Sequence, residues 1–141
     1  MIPIQEPMFY RFDAAVPLRW VDVDSAGVVN NAVYLSLMEQ ARFAYFHHLG
    51  LMEDHRVPFV LAETTLEFCK PGRLGMEIEV AAATTKLGRT SFSMQYEVRS
   101  RDEVLCKGKA ALVFVDDSLQ PCAIPENFRA TVAQFEELPD A

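Results

Sequence analysis

The chain has few of the residues that metal sites, disulfide frameworks and nucleic-acid interfaces need. Its 141 residues include three cysteines and three histidines. They lack metal-ligand spacing, so we expect reduced, scattered cysteines and no metal site. The 13 Lys and Arg residues are outnumbered by 20 Asp and Glu residues, which gives a net charge of −7. This balance argues against general binding to nucleic acid or to an anionic membrane.

Signals for export and for several common catalytic sites are also missing. No basic region followed by an apolar core opens the sequence, so we expect no signal peptide and a cytoplasmic location. There is no G-x-S-x-G elbow, no Ser-His-Asp arrangement and no Gly-rich phosphate loop. Half of the residues are hydrophobic and 23% are charged, as in ordinary globular proteins. We therefore predict one domain over residues 1–141, with its core at about residues 9–129.

What the sequence does contain is a long, mostly apolar segment that follows an acidic turn at residues 22–27. Asn30 or Asn31 is a suitable N-cap, and Gly50 is a suitable residue to close the helix. A helix between them would have roughly 19 residues and a length of about 28 Å. It is apolar nearly all round, which is typical of a buried helix. It is too polar and interrupted to span a bilayer.

The remaining segments predict strands that wrap this helix. Residues 18–23 indicate a strand before the helix, and four more are predicted at residues 57–69, 76–86, 90–100 and 104–116. Gly108 indicates a bulge or a close approach, and residues 126–137 predict a short helix or a mobile tail. One sheet and one long helix make a two-layer α+β domain. The uncovered side and the sheet edge require a second copy, so we expect at least a homodimer.

Asp24 is the first candidate for chemistry, because it lies just upstream of the helix N-terminus. Free backbone amides there carry partial positive charge and could polarise an acyl carbonyl. The carboxylate could then attack that carbonyl or deprotonate a water molecule. On spacing alone, turn capping by Asp22 and Asp24 explains them as well. Gly27 indicates a positive-φ turn, close ligand approach or a plain loop, and Asn31 could donate its amide or cap the helix.

Other charged residues leave two interpretations each. Glu39 could be a second catalytic carboxylate, or it could face solvent or pair with Arg42 three residues on. Glu63 could point inward, where desolvation would raise the pKa of its carboxyl group, or it could belong to the polar, outward-facing positions of its strand. Four cations at turns could gather at one end of the sheet and bind phosphate, or could simply be solvated: Lys70, Arg73, Lys86 and Arg89.

The run DVDSAGVVNNAVY at residues 22–34, followed by EQAR at residues 39–42, resembles the 4-hydroxybenzoyl-CoA thioesterase-like family of acyl-CoA thioesterases. The family pattern is close to D-x-D-x-x-G-x-V-x-N-x-x-Y and then E-x-A-R. The similarity covers about residues 16–129. It implies the hotdog fold, in which a curved, mainly antiparallel sheet of about five strands wraps a long helix.

The resemblance also implies an activity: acyl-CoA and water give a carboxylic acid and CoA. Asp24 would be the nucleophile or general base, the amide of Asn31 would polarise the thioester, and Gly27 would shape the turn. Lys86 and Arg89, with Lys70 or Arg73, would contact the CoA phosphates. The family implies active sites at a dimer interface, dimers that often pair into tetramers, and no cofactor beyond the CoA moiety of the substrate. Val28 stands where many members have histidine.

Tyr34, Met38, Phe59 and Glu63 are the residues we predict to line the substrate pocket, with Phe68 as a further candidate. The acyl specificity stays open at this stage. Two alternatives to an acyl-CoA thioesterase are an acyl-carrier-protein thioesterase and a non-catalytic acyl-CoA-binding module. A hotdog hydratase fits less well, because no Asp-His dyad is found.

Overall fold

A computed structural model describes residues 9–52 and 57–139 of the chain. Two α-helices and a five-stranded sheet account for most of these residues. In chain order the elements are β1 (Asp13–Ala15), a 3₁₀ helix (Trp20–Asp22), α1 (Val33–His48), β2 (Phe59–Phe68), β3 (Glu79–Leu87), β4 (Ser91–Ser100), β5 (Glu103–Phe114) and α2 (Glu126–Glu136).

The sheet is antiparallel throughout, with the strand order β1-β3-β4-β5-β2. Strands β3, β4 and β5 follow one another through tight turns. β2 comes before them in the chain but occupies the far edge, where it pairs only with β5 among the described strands. As an edge strand, β2 leaves one side of its backbone without a partner strand among the described residues.

Helix α1 lies buried against the inner face of the sheet. Leu37, Met38, Ala41, Tyr45 and Phe46 are at most 2% exposed. The helix comes so close to β5 that a Cβ at Gly108 would lie 2.5 Å from the Met38 sulfur. The close approach predicted for Gly108 is confirmed, whereas the bulges of the sheet occur elsewhere, such as between Leu61 and Glu63.

Helix α2 closes one end of the core with an aromatic cluster. Phe128 packs its ring on four others, with centroids 4.7–6.3 Å apart: Phe46, Phe59, Phe92 and Phe114. At the end of α2, the buried Glu136 carboxylate accepts hydrogen bonds from the Tyr45 hydroxyl (2.6 Å) and the Thr84 amide (2.7 Å). The terminal segment is therefore a helix packed on the core.

Two sequence expectations were wrong in detail. Helix α1 begins at Val33 after the N-cap residue Ala32, so neither Asn30 nor Asn31 is the N-cap. Residues 18–23 form no strand of the sheet. The Asp22 carboxylate accepts hydrogen bonds from the backbone amide (2.8 Å) and the guanidinium (2.9 Å) of Arg19, and this closes the 3₁₀ turn instead.

Other expectations hold. Gly50, at φ +71°, ends α1 and donates its amide to the His47 carbonyl, as a helix-closing glycine does. The predicted α+β class, with a sheet of five strands around one long helix, is confirmed. Neither α-helix in the described residues has the length and apolar character needed to cross a bilayer.

Candidate functional site

The acidic turn is a small hairpin that leads into α1. Val23 bridges to Val29, and the Asp24 amide donates to the Val28 carbonyl at 2.9 Å. At its tip Gly27 has φ +77°, and a Cβ there would meet nothing within 4 Å. The backbone conformation, and not a lack of space, is therefore what requires glycine at this position.

The Asp24 carboxylate holds this hairpin together with one of its oxygens. Its Oδ1 atom accepts hydrogen bonds from the amides of Ala26 (2.9 Å) and Val28 (3.2 Å). The residue is exposed, and its Oδ2 atom makes no hydrogen bond to a described residue. The turn-capping role inferred from the sequence is thus present, and it leaves the second oxygen available to a ligand or a water molecule.

The segment that follows β2 fixes the hairpin from the other side. The Val29 amide donates to the Gly72 carbonyl (2.8 Å), and Val28 bridges to Arg73. The Gly72 amide in turn donates to the Tyr34 hydroxyl (3.1 Å). Burial raises the pKa of this hydroxyl, so it stays protonated near neutral pH while its oxygen accepts that bond. Hairpin, helix start and the segment after β2 form one hydrogen-bonded unit.

Between these three segments lies a groove of about 240 Å³ at the N-terminus of α1. The Tyr34 and Phe68 rings, 5.7 Å apart and edge to face, form part of its wall. Its other lining residues are Val28, Val29, Asn31, Cys69, Lys70 and Pro71. The structure thus brings together Asn31, Tyr34 and Lys70 of the predicted site, with Phe68, next to the Asp24 hairpin.

The Asn31 amide is the distinctive polar group of this groove. The amides of Val28, Val29, Asn30, Ala32 and Val33 each donate to an acceptor within the described chain. The Asn31 amide makes no such bond, and Asn31 lines the groove. Asn31 directly precedes the N-cap residue Ala32, so its amide lies next to the positive end of the helix dipole. The groove therefore offers one unused donor that can polarise a carbonyl oxygen.

The four predicted CoA-binding cations do not gather at one end of the sheet. Lys70 lines the groove, with its ammonium 3.4 Å from the Glu103 carboxylate, and Arg73 is exposed next to it. Lys86 and Arg89 lie in the β3–β4 hairpin at the opposite end. Phe68, which precedes Lys70, pairs with Cys106 of β5, and Phe92, which follows Arg89, pairs with Leu112 of the same strand. The rise along β5 between these two pairs separates the ends by roughly 20 Å. The expected cluster of four cations therefore does not form within one chain.

Three predicted pocket residues lie outside the Asn31 groove. Phe59 is 7% exposed in the aromatic cluster, and Glu63 is exposed on the outer phase of β2, as one of its two interpretations expected. Met38 lines a second groove between α1 and β2. On the sequence alone, Arg42 is a candidate partner of Glu39 and the last residue of the EQAR motif, without a role at the site. Its position among the apolar residues of a buried helix was the available signal that it does more.

No group of three His, Cys, Asp or Glu side chains able to hold a metal ion is found within residues 9–52 and 57–139. Burial raises the pKa of the Cys106 thiol to about 12, so Cys106 is a neutral, inert side chain near neutral pH. The polar groups that can act on a thioester at this site are the Asp24 carboxylate, the Asn31 amide and the adjacent Lys70.

The model of the thioesterase superfamily matches residues 26–107. The chain belongs to this superfamily. The match includes the Asn31 groove and begins two residues after Asp24. The chain is also 35% identical to a crystallised thioesterase from Thermus thermophilus complexed with coenzyme A and Zn, with a TM-score of 0.83 over 92% of this chain and 98% of that one. The expected hotdog thioesterase is thus confirmed at the level of family and fold.

Curated relatives include two kinds of thioesterase. Acyl-CoA thioester hydrolase YbgC of Escherichia coli is 28% identical over 128 residues, which are 86% of this chain and 93% of that protein. Acyl-acyl carrier protein thioesterase ATL3 of Arabidopsis thaliana is 26% identical over 135 residues, which are 92% of this chain and 71% of that protein.

Proposed function

We propose that this protein hydrolyses acyl-CoA thioesters to a carboxylic acid and coenzyme A. The observation that carries the proposal is the Asn31 amide, which has no acceptor among the described residues and belongs to a residue that lines the groove beside the Asp24 hairpin. The names of the Escherichia coli relative and of the coenzyme A complex from Thermus thermophilus support CoA as the carrier.

In this mechanism, the thioester carbonyl oxygen accepts the Asn31 amide hydrogen. This bond strengthens as the carbonyl oxygen gains negative charge in the transition state. The Asp24 carboxylate supplies the other half of the reaction. It either attacks the carbonyl carbon to form an anhydride that water cleaves, or removes a proton from the attacking water. In both routes the C–S bond breaks, the thiolate leaves and takes up a proton, and one water molecule is consumed.

A second copy of the chain completes the proposed assembly. β2 is a ten-residue edge strand, and Val60, Leu61 and Phe68 on it are 42–50% exposed. Antiparallel pairing of two β2 edges about a two-fold axis would cover this surface. It would also bring the end of the second copy that carries Lys86 and Arg89 to the same side as the Asn31 groove. CoA phosphates could then meet Lys70 or Arg73 and these cations. We propose this homodimer, and a pair of such dimers, as the working assembly in the cytoplasm.

Asp24→Asn tests the catalytic role while keeping an oxygen that can cap the turn. We expect turnover to fall about 10²- to 10⁴-fold, with the circular dichroism spectrum and the oligomeric state unchanged. Asp116→Asn is the matched control, because the Asp116 Oδ1 atom caps another turn with the same spacing, through the amides of Ser118 and Gln120. Full activity in the folded Asp24→Asn variant would remove Asp24 from the mechanism.

An acyl carrier protein is the second candidate carrier, because the chain resembles the Arabidopsis thaliana acyl-carrier-protein thioesterase over most of its length. The net charge of −7 weighs against it, since carrier proteins are acidic. Matched acyl-CoA and acyl-carrier substrates, compared by kcat/KM, separate the two. Tight acyl-CoA binding with no release of thiol from any acyl group would instead indicate a binding module.

A further inference from the structure

Arg42 is a buried cation with unused hydrogen-bonding capacity. It is 5% exposed. Of its five N–H groups, one donates to a described residue, from Nη1 to the Tyr96 hydroxyl at 2.9 Å. Its Nε atom is buried without an acceptor, and its Nη2 atom lies 3.7 Å from the Glu39 carboxylate. A buried guanidinium is normally hydrogen-bonded through most of its N–H groups, so the Nε atom of this one is left short of an acceptor.

The guanidinium belongs to the wall of the second groove between α1 and β2. This groove has a volume of about 220 Å³ and a mixed lining: Leu35, Met38, Arg42, Leu61, Thr64 and Tyr96 contribute to it. Leu35 and Leu61 are 39% and 42% exposed and give its mouth an apolar surface. The exposed Ser36 and Glu39 line the groove as well, so its entrance combines apolar surface with one carboxylate that competes for Arg42. When Glu39 turns away, a partly apolar entrance with a cation inside suits a ligand that has a hydrocarbon body and a negatively charged end.

The second groove lies too far along α1 for a ligand bound at Arg42 to place its thioester at the Asn31 amide of the same chain. Eleven residues at the rise of an α-helix separate Arg42 from Asn31 by roughly 16 Å. If the two β2 edges of the proposed dimer pair about a two-fold axis between Glu63 and Thr64, Leu61 of the second copy lies opposite Leu66 of the first. This pairing would bring the second groove of the second copy, which Leu61 lines, alongside β2 of the first copy, whose last residue Phe68 lines the Asn31 groove.

We propose that Arg42 of the second copy binds the far end of the acyl group, and that the preferred substrates are acyl-CoA thioesters whose acyl chain ends in a carboxylate. This inference rests on the proposed function and deepens it. A planar guanidinium pairs with a carboxylate through two parallel hydrogen bonds, which supplies the acceptors that Arg42 lacks. Glu39, 56% exposed at its side chain, is free to turn away when the substrate carboxylate arrives.

The test compares kcat/KM for adipoyl-CoA and hexanoyl-CoA, which have equal carbon chains and differ in the terminal carboxylate. We expect the protein to favour adipoyl-CoA. In Arg42→Met the adipoyl-to-hexanoyl ratio should fall about 10- to 100-fold, as for a lost hydrogen bond to a charged group. Arg42→Lys keeps the charge and loses the planar guanidinium, so its adipoyl-to-hexanoyl ratio should lie between those of the native protein and Arg42→Met. It replaces the Met variant in the test if that variant does not fold. Arg99→Met, which breaks an ion pair with Glu97, is the control and should keep the ratio.

Glu39→Gln removes the competing carboxylate and should raise the same ratio. A wild-type protein that hydrolyses hexanoyl-CoA as well as adipoyl-CoA overturns the inference, and so does an unchanged ratio in the Arg42 variants. Both results leave the proposed function intact, because hexanoyl turnover measures it independently. No turnover of short, long, branched or aromatic acyl-CoAs would overturn the proposed function itself and the inference with it.

Mixed dimers test the contribution of the second copy. Chains with Asp24→Asn are combined with chains that carry Arg42→Met. If the two residues act across the interface, one site in each mixed dimer has both native residues, and adipoyl turnover returns to about half that of the native dimer. If they act within one chain, no site has both, and the adipoyl preference stays lost. That second result refutes the arrangement across the dimer.

Discussion

Asn31→Pro is a direct test of the free amide, because proline removes the N–H group at this position alone. The structure predicts that the fold accepts the change. The Asn31 amide makes no hydrogen bond within the described residues, so none is lost. The Val33 amide donates to the Asn30 carbonyl at 2.9 Å, which places Asn31 second in a four-residue turn. Proline is favoured at this position of type I turns.

The size of the effect follows from the number of donors. The neighbouring amides of Ala32 and Val33 already donate to the side chain and the carbonyl of Asn30. No free amide is therefore available between residues 28 and 33 to replace the lost one. Removal of a single oxyanion donor typically lowers kcat about 10²- to 10³-fold, or about 3–4 kcal/mol of transition-state stabilisation. We expect a loss in this range, mostly in kcat.

The measurement is release of free thiol from the best acyl-CoA substrate, together with the melting temperature of each variant. Asn31→Ala is the matched control: it removes the same side chain and keeps the amide, so it should stay within a few-fold of the native rate. The reasoning is refuted if Asn31→Pro folds and keeps more than about a tenth of the native kcat. An equally large loss in Asn31→Ala would assign the effect to the side chain.

Three further predictions concern buried groups of the core and the segment beside the site. Glu136→Ala removes a buried acceptor from Tyr45 and Thr84 and should lower the free energy of unfolding by roughly 3–5 kcal/mol in urea titrations, whereas Glu136→Gln should cost less. Gly72→Ala would place a Cβ 2.9 Å from the Tyr34 hydroxyl. We expect the free energy of unfolding to fall by about 1–3 kcal/mol and thiol release to become slower. Unchanged kinetics would contradict this prediction. Burial raises the pKa of the Cys106 thiol from 9.0 to about 12, so the thiol should resist labelling at pH 8 until the protein unfolds. The unfolded chain loses this proton at a lower pH than the folded chain does. The contribution of the protonated thiol to the free energy of unfolding should therefore disappear as the pH rises from 9 towards 12.

The sequence predicts well those elements whose pattern is local. The alternation in β4 and the glycine at the end of α1 each act within a few residues, and the structure has them where they were expected. The 3₁₀ turn at residues 20–22 was missed for an equally local reason. Its apolar residues look like a strand, and the Arg19–Asp22 contact that bends the chain is a single pair spaced by three.

The sequence does not predict which elements that are distant in the chain pack or pair with each other. Nothing in the composition of β2 indicates that it pairs with β5 at the far edge of the sheet. That placement separates Lys70 and Arg73 from Lys86 and Arg89, which sequence spacing could bring together. Arg42 is a similar case, because its place in an apolar helix indicates burial but not that it faces Tyr96 and the groove beside β2.

Two unsatisfied features lie near β2, the strand at the edge of the sheet. A folded chain normally pairs its buried donors and acceptors, because an unpaired one costs about 1–3 kcal/mol. Within the described residues, the buried Arg42 Nε atom has no acceptor, and the outer edge of β2 has no strand beside it. The amide of the exposed Asn31, in the other groove, has no acceptor there either. The proposed second copy and substrate would supply partners to all three, whereas the buried Gln95 Oε1 atom on β4, also without a donor, lies outside this proposal.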